Sequence, residues 1–405
     1  MPHATRLTRL AAALVAALPL VVAPLTPAAA QQPPAGRALR VSARFAAAPP
    51  QTGAAAFVAR LGNDTVAVER FTRRGDVIRG VSVVRTPRTL LRRYQLKLRP
   101  DGAPASLRVE IAPPGGARLE TSEWTWRGDT VFGSFRRDTV HRSWTVPVTG
   151  APVPFDATLY VAWDVAVRRL GRGSSLTMLA NRQVLRYAVQ RRPDGAAVLH
   201  YPGRDPSYEG VVLRSDLLGL TELDLTATTD RYLVRRVPTF DVEALAADFA
   251  RRELAGKGLG VLSPRDTALG TVGTAHVLID YSRPATRGRT VFGGLLVPFG
   301  QVWRTGADAA SQLSTDRDLE IGGTLVPAGT YSLFSIPTAS GWTLILNRQH
   351  GQWGTDYDPS RDLARIPLRV RTLPAPLERF TIAFEPGLLR LAWADREGTV
   401  ALKAK

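Results

Sequence analysis

The chain has no cysteine among its 405 residues. A disulfide framework, thiolate zinc, an iron–sulfur cluster and a thiol nucleophile are excluded together. Lysine is almost as scarce, with Lys97, Lys257, Lys403 and Lys405 the only four, so the formal charge of +18 is carried by arginine. Those arginines are scattered through strand-like segments, whereas a nucleic-acid patch clusters Lys with Arg. From residue 262 onward 16 basic residues face 13 acidic ones, so the excess lies earlier in the chain. There it allows a general attraction for anionic surfaces and names no specific nucleic-acid partner. Outside residues 1–30 only His141, His200, His276 and His350 occur, with no H-x-H or H-E-x-x-H spacing, which argues against a histidine zinc site. Neither a G-x-S-x-G elbow nor a G-x-x-x-x-G-K phosphate loop is present. No cofactor and no metal are expected.

What is present begins with an address. Arg6 and Arg9 precede an uncharged apolar run at residues 10–22, and Pro24 and Pro27 lead to Ala28-Ala29-Ala30. These are the three parts of a secretory signal. The run is shorter than the roughly 20 residues that span a bilayer. No cysteine follows it for lipid attachment, and the two arginines are not adjacent as in a twin-arginine signal. The expectation is cleavage before Gln31 and a soluble periplasmic or extracellular product without a membrane anchor.

Turn signals then recur about every ten residues between alternating apolar runs, as in antiparallel sheet. Arg74-Gly75-Asp76 resembles an integrin-binding tripeptide, but between two such runs it reads as a hairpin turn. Helical spacing interrupts the pattern at Leu159, Trp163, Ala166, Val167 and Leu170, with Asp156 as the expected N-cap and Gly171 closing the segment. A second helix is expected over residues 241–254, capped by Asp241. Gly256-Lys-Gly-Leu-Gly260 follows a helix and precedes a strand, the reverse of a phosphate-binding loop, so it reads as a linker. The expected organisation is a β-rich domain at 37–238, a helix and glycine linker at 239–261, and a β-sandwich at 262–405. The first domain, a curved antiparallel sheet interrupted by a helix, is loosely similar to the half-barrel of bacterial lipoprotein carriers, which implies a concave face able to hold acyl chains.

In the last segment Val277, Ile279 and Tyr281 share one strand face opposite His276, Leu278 and Asp280. Phe380, Ile382 and Phe384 alternate in the same way, and residues 342–346 are apolar on both faces, as in a central strand. A sandwich of about eight strands fits. This region also carries Asp280-Tyr-Ser-Arg-Pro284, Gly288-Arg289, Phe292-Gly293, Val297-Pro298 and Trp303-Arg-Thr-Gly-Ala307. Pro327-Ala-Gly-Thr-Tyr-Ser-Leu-Phe334, Trp353-Gly354 and Tyr357 complete a set that resembles an exported bacterial family, domain of unknown function 2911. That family's pattern continues after Trp-Arg-Thr-Gly-Ala as Asn-Glu-Ala-Thr, whereas this chain has Asp308-Ala-Ala-Ser311. Any role of that glutamate in relatives is absent here.

Between residues 280 and 308 arginines alternate with aromatics. Tyr281, Arg283, Arg289, Trp303, Arg304 and Asp308 form the candidate site, with Arg287 beside them, because guanidinium forks bind carboxylate or phosphate and stack on rings. The competing structural reading pairs Arg304 with Asp308 and Arg283 with Asp280. No catalytic residue stands out, and His276 and Asp280, roughly 13 Å apart by strand rise, are no dyad. The leading expectation is a non-catalytic exported module for a polar or anionic small molecule or glycan. An apolar carrier using the first domain, or a cell-envelope hydrolase, are the alternatives.

Overall fold

A computed structural model describes residues 53–405 apart from 157, 181 and 202–209. The expected signal at residues 1–30 lies outside the described residues. The protein is mainly β, in two sheets.

The first sheet opens as a meander of β1 (Ala54–Leu61), β2 (Asp64–Arg74), β3 (Val77–Val84) and β4 (Leu90–Leu98). It continues through β5 (Pro104–Ala112), β6 (Glu120–Arg127), β7 (Thr130–Arg137) and β8 (Val140–Pro147). Then come β9 (Val153–Pro154), helix α1 (Tyr160–Leu170), β10 (Ser175–Ala180) and β11 (Gln183–Arg191). β12 (Ala197–His200), β13 (Val211–Asp216), β14 (Gly219–Asp224) and β15 (Leu233–Val237) complete it. β15 pairs with β1, so the 15 strands run from β8 to β1 and on from β15 to β9. Among the described residues of this sheet only β9 and β10 pair in parallel, because the chain passes through α1 between them, as a parallel connection requires. The Arg74-Gly75-Asp76 tripeptide joins β2 to β3 as the expected hairpin turn.

The sheet curls around α1. Eight of the helix's 11 residues are buried, among them Tyr160, Trp163, Val165 and Ala166, and a helix apolar on nearly every side needs walls all round. Glu69 on β2 and Arg92 on β4 reach its N-terminal end, while Leu220 N on β14 donates to Asp164 Oδ1 at 2.9 Å. The two ends of the sheet approach each other. Trp126 Nε1 donates to Pro152 O at 3.0 Å, and the Arg182 guanidinium lies 4.8 Å from the Trp144 ring centre. The curvature expected of the first domain is therefore present, but the likeness to lipoprotein carriers finds no support. The concave face is filled by the chain's own helix.

Asp156 is not the cap of α1. Leu159 holds that position and supplies no side-chain bond. Asp156 instead pairs with Arg92 and accepts from Thr158 N at 2.8 Å, so the cap has to come from elsewhere in the fold. The other helix, α2 (Val242–Arg252), is capped as expected, Asp241 accepting from Glu243 N at 3.0 Å and Ala244 N at 3.1 Å. Its Val242, Ala246 and Phe249, with Phe240, cover Ala56, Val68, Val83 and Leu91 on the outer face of the sheet. The glycine linker after it is tied down. Glu253 Oε2 accepts from Thr89 N at 2.6 Å, Thr86 Oγ1 donates to Gly260 O at 2.9 Å, and Leu259 and Leu262 pack on the first core.

The second sheet has nine antiparallel strands. They are β16 (Arg265–Val272), β17 (Ala275–Ser282), β18 (Ser311–Thr315), β19 (Leu319–Ile321) and β20 (Thr324–Val326), then β21 (Gly329–Pro337), β22 (Trp342–Asn347), β23 (Asp362–Glu385) and β24 (Leu388–Ala404). The order is 16-17-18-21-22-23-24-19-20. Strand β22 is internal, as its two apolar faces demand. The sandwich is made from one continuous sheet: the long hairpin of β23 and β24 folds back so that both strands face the edge strand β16. The β17 face that carries Val277, Ile279 and Tyr281 joins Phe380, Ile382, Leu391 and Trp393 in a single core.

Candidate functional site

Two of the six expected site residues are core residues. Tyr281 is 2% exposed. Its hydroxyl donates to Ile382 O at 3.3 Å and accepts from Ile382 N at 3.1 Å, and its ring meets Phe380 edge-on at 5.7 Å. Trp303 is 8% exposed. It stacks on Trp393 at 5.8 Å and touches Phe380, Trp342 and Phe292. Its backbone exchanges both hydrogen bonds with Ser335, at 2.7 and 2.8 Å, and its indole N–H donates to Gly306 O at 3.0 Å. Both rings are turned into the core: Tyr281 lies on the β17 face that the sheet folds over, and Trp303, in the loop bridged to Ser335, packs into the same cluster.

The loop after Trp303 is a fixed piece of architecture. Thr305 and Asp308 both hold left-handed backbone, at φ 49° and 60°, a conformation uncommon away from glycine. Thr305 is buried and donates to Ser335 Oγ at 2.9 Å, while Ser311 Oγ donates to Thr305 O at 2.7 Å. The Asp308 carbonyl accepts from Gly354 N at 3.0 Å and from Arg304 Nη1 at 3.1 Å. Two motif pieces distant in sequence, Trp303–Ala307 and Trp353-Gly354, thus form one unit. Arg304 does meet Asp308, but through the main-chain oxygen.

The other arginines are also engaged. Arg283 does not pair with Asp280. It donates to Asp266 Oδ2 at 2.9 Å, Phe380 O at 3.1 Å and Thr381 Oγ1 at 3.0 Å, and Asp280 pairs with Arg265. Cross-strand neighbours on β16 lie nearer than residues three positions along one strand, where the rise alone gives about 10 Å. Arg289 closes its own loop, its Nε and Nη2 donating to Thr286 O at 2.9 Å and Ala285 O at 2.8 Å.

This loop is where the two sheets meet. Arg287, at φ 50°, accepts from Asn63 N at 2.9 Å through its carbonyl and pairs with Asp64, its side chain only 8% exposed. Glu378 holds the loop from the other side, accepting from Arg287 N at 2.9 Å and from Thr286 Oγ1. Arg231, between β14 and β15, donates to Leu295 O at 2.8 Å. Four arginines gather at this seam: 231, 287, 289 and 379. Burial, then the Arg287 and Arg231 charges, bring Arg289 down to about 10. Burial, then Arg287 and Arg283, also lower Arg379, whose Nη1 is buried without a hydrogen-bond partner among the described residues. Sequence reading passed over Arg231 and Arg379, which carry no motif and lie far along the chain from residues 280–308.

The arrangement carries the motif set of one family, and the comparison agrees. Residues 263–402 match the family described as protein of unknown function (DUF2911). No curated protein matches the chain. The DUF2911 region takes in nearly all of the second sheet, so its motifs now have positions: Trp303 in the core, Arg304 to Asp308 in the strained loop, Gly288-Arg289 at the seam. Arg231 lies outside the DUF2911 region, and the seam is therefore made by both parts of the chain. Among the described residues no group of His, Asp and Glu is arranged to hold a metal ion.

The docking of the DUF2911 region depends on Gly62. Its φ is 60°, and a Cβ there would stand 2.1 Å from Arg287 O. Gly62→Ala is expected to separate the sheets' unfolding, giving two calorimetric transitions where the wild type shows one. A single transition at an unchanged temperature would count against the seam.

Proposed function

We propose that this chain is a non-catalytic binding module for a small anionic ligand, which it takes at the seam between its two sheets. Arg379 carries this reading. A buried guanidinium N–H without an acceptor is costly, and its charged neighbours include Arg283 and Arg287. The nearby carboxylates are engaged, Glu378 by the loop and Asp64 by Arg287. Such a position gains most from a carboxylate or phosphate, whose oxygens fit guanidinium forks. The candidate site thus moves from Tyr281, Trp303 and Arg304 to Arg379, Arg289 and Arg287, and Arg289 is common to both. The signal-like residues 1–30 support a periplasmic or extracellular setting.

The test uses inorganic phosphate and citrate against the full chain. The melting temperature should rise with millimolar ligand, and calorimetry should show binding that weakens with salt. Arg379→Gln should fold and lose most of that response. A wild type that binds neither anion overturns the proposal, as does an Arg379→Gln variant that binds both normally.

A further inference from the structure

The turn between β13 and β14 lifts two leucines clear of the protein. Leu217 is 101% exposed and Leu218 73%. Nothing in the turn calls for them. Asp216 opens it, its Oδ1 accepting from Leu218 N at 2.8 Å, and Gly219 closes it at φ 112°. An aspartate and a glycine thus set the backbone, and the two positions between them accept polar residues as readily. The tip is also held in place. Arg168 on α1 donates to Leu218 O and pairs with Asp164 at 2.7 Å, while Arg236 pairs with Asp216. Strand β14 runs from this tip to the Arg231 turn at the seam, so the leucines stand at the opposite end of the sheet. Other turns at this end, Arg74-Gly75-Asp76 and Gly128-Asp129, are polar.

Cations gather around the tip. Helix α1 ends beside it on Arg168 and Arg169, and the exposed Arg172 follows. The turn after β11 adds Arg191 and Arg192, and Arg214 and Arg236 lie on β13 and β15. Three acids stand against these seven arginines: Asp164, Asp194 and Asp216, paired with Arg168, Arg214 and Arg236. Farther from the tip, Arg235 and Glu222 offset each other. Arg169 and Arg191 donate to the main-chain oxygens of Ala151 and Gly171, which leaves their charge uncancelled. A cleft of about 200 Å³ between the helix end and the tip is lined by Arg168, Arg191 and Leu217 together.

We propose that this end of the first sheet docks on an anionic phospholipid bilayer, with Leu217 and Leu218 entering the acyl boundary and the arginines meeting lipid phosphates. A bilayer asks only for apolar side chains that pass the headgroups and for cations behind them. Two protruding leucines are far too little for a protein partner, which needs about 800 Å² from each side. A free polyanion would engage the arginines and leave the leucines in water. Docking also gives a use to the arginine excess of the earlier part of the chain, most of which lies away from the seam. The tip is independent of the seam, so an anion can bind there or fail to bind without deciding this question.

Because the chain has no cysteine, a single label can be placed in the full-length protein. An environment-sensitive fluorophore on Leu217→Cys should shift to the blue on phosphatidylglycerol vesicles and stay unchanged on phosphatidylcholine. The same label on Ala339→Cys, exposed in the second sheet, should not move. Leu217→Ser combined with Leu218→Ser should melt like the wild type, both side chains being exposed, and should bind phosphatidylglycerol vesicles about tenfold or more weakly. Arg191→Gln should weaken binding about fivefold, and salt should weaken it throughout. A Leu217 label that stays unshifted overturns the proposal, as does an equal shift at Ala339, an equal response on phosphatidylcholine, or full binding by the serine pair. A dimer that forms without vesicles and is lost in the serine pair has the same force, since the leucines then meet a second copy of the chain.

Discussion

Glu69→Ala should destabilise the protein by about 4 kcal/mol at pH 5. The substitution leaves three donors without their acceptor in a closed interior: Tyr160 N, Val161 N and Tyr94 OH. Each orphaned buried donor costs about 1–3 kcal/mol, and the hole left by the side chain adds to that. At pH 8 the difference should shrink. The folded-state value of about 7 lies above the ordinary 4.5, so the stability that Glu69 contributes is fully present below about 4.5 and is lost as pH rises through about 7. That shift corresponds to about 3 kcal/mol, which the wild type loses and the alanine variant does not. Glu69→Gln keeps the shape but only one accepting oxygen, so its NH2 faces a donor and it should cost about 2 kcal/mol at pH 5. Urea unfolding of the three proteins at pH 5 and pH 8 measures all of this. A loss below about 1 kcal/mol for Glu69→Ala at pH 5 would show that Glu69 does not cap α1, and an equal loss at both pH values would show that burial does not raise its carboxyl.

Trp303→Ala should cost about 4 kcal/mol. Its ring stacks on Trp393 at 5.8 Å and meets Phe380 at 5.1 Å and Trp342 at 6.1 Å, so truncation opens a cavity at the centre of the second core, where losses of about 3–5 kcal/mol are usual. The same residue was a natural choice as a stacking platform for a ligand, and the two roles separate cleanly. Trp303→Phe keeps most of the packing, should lose less than half as much stability, and should leave the phosphate response of the seam intact. If Trp303→Phe folds well and phosphate binding disappears, Trp303 is part of the site after all and the seam is not where the anion sits.

The places where sequence reading succeeded share a cause. Alternation at Val277, Ile279 and Tyr281, the doubly apolar run at residues 342–346, the hairpin at Arg74-Gly75-Asp76 and the Asp241 cap all depend on groups within a few positions of one another, where strand and helix geometry decide the outcome. The family resemblance read from residue 262 onward, which the match over residues 263–402 supports, is likewise a property of order along the chain. What the sequence could not decide depended on which distant faces meet. The α1 cap was expected from Asp156 nearby and is supplied by Glu69, 91 positions away in the chain. Asp156 is drawn instead to Arg92, because curvature brings β4 over the helix start. Arg283, just past the end of β17, pairs with Asp266 on β16 rather than with Asp280 three positions back. Tyr281 and Trp303 carry polar atoms and aromatic faces suited to a ligand, and only the folding of the second sheet onto itself turned them inward. The arginine seam is the clearest case. Arg231 and Arg379 belong to no shared pattern, and their charges act on one another's neighbourhood only because the two sheets dock through a glycine that leaves room for a carbonyl. Local periodicity is set by backbone geometry and survives in sequence, whereas the cost of burying a charge is set by everything packed around it, and that is known only once the chain has folded.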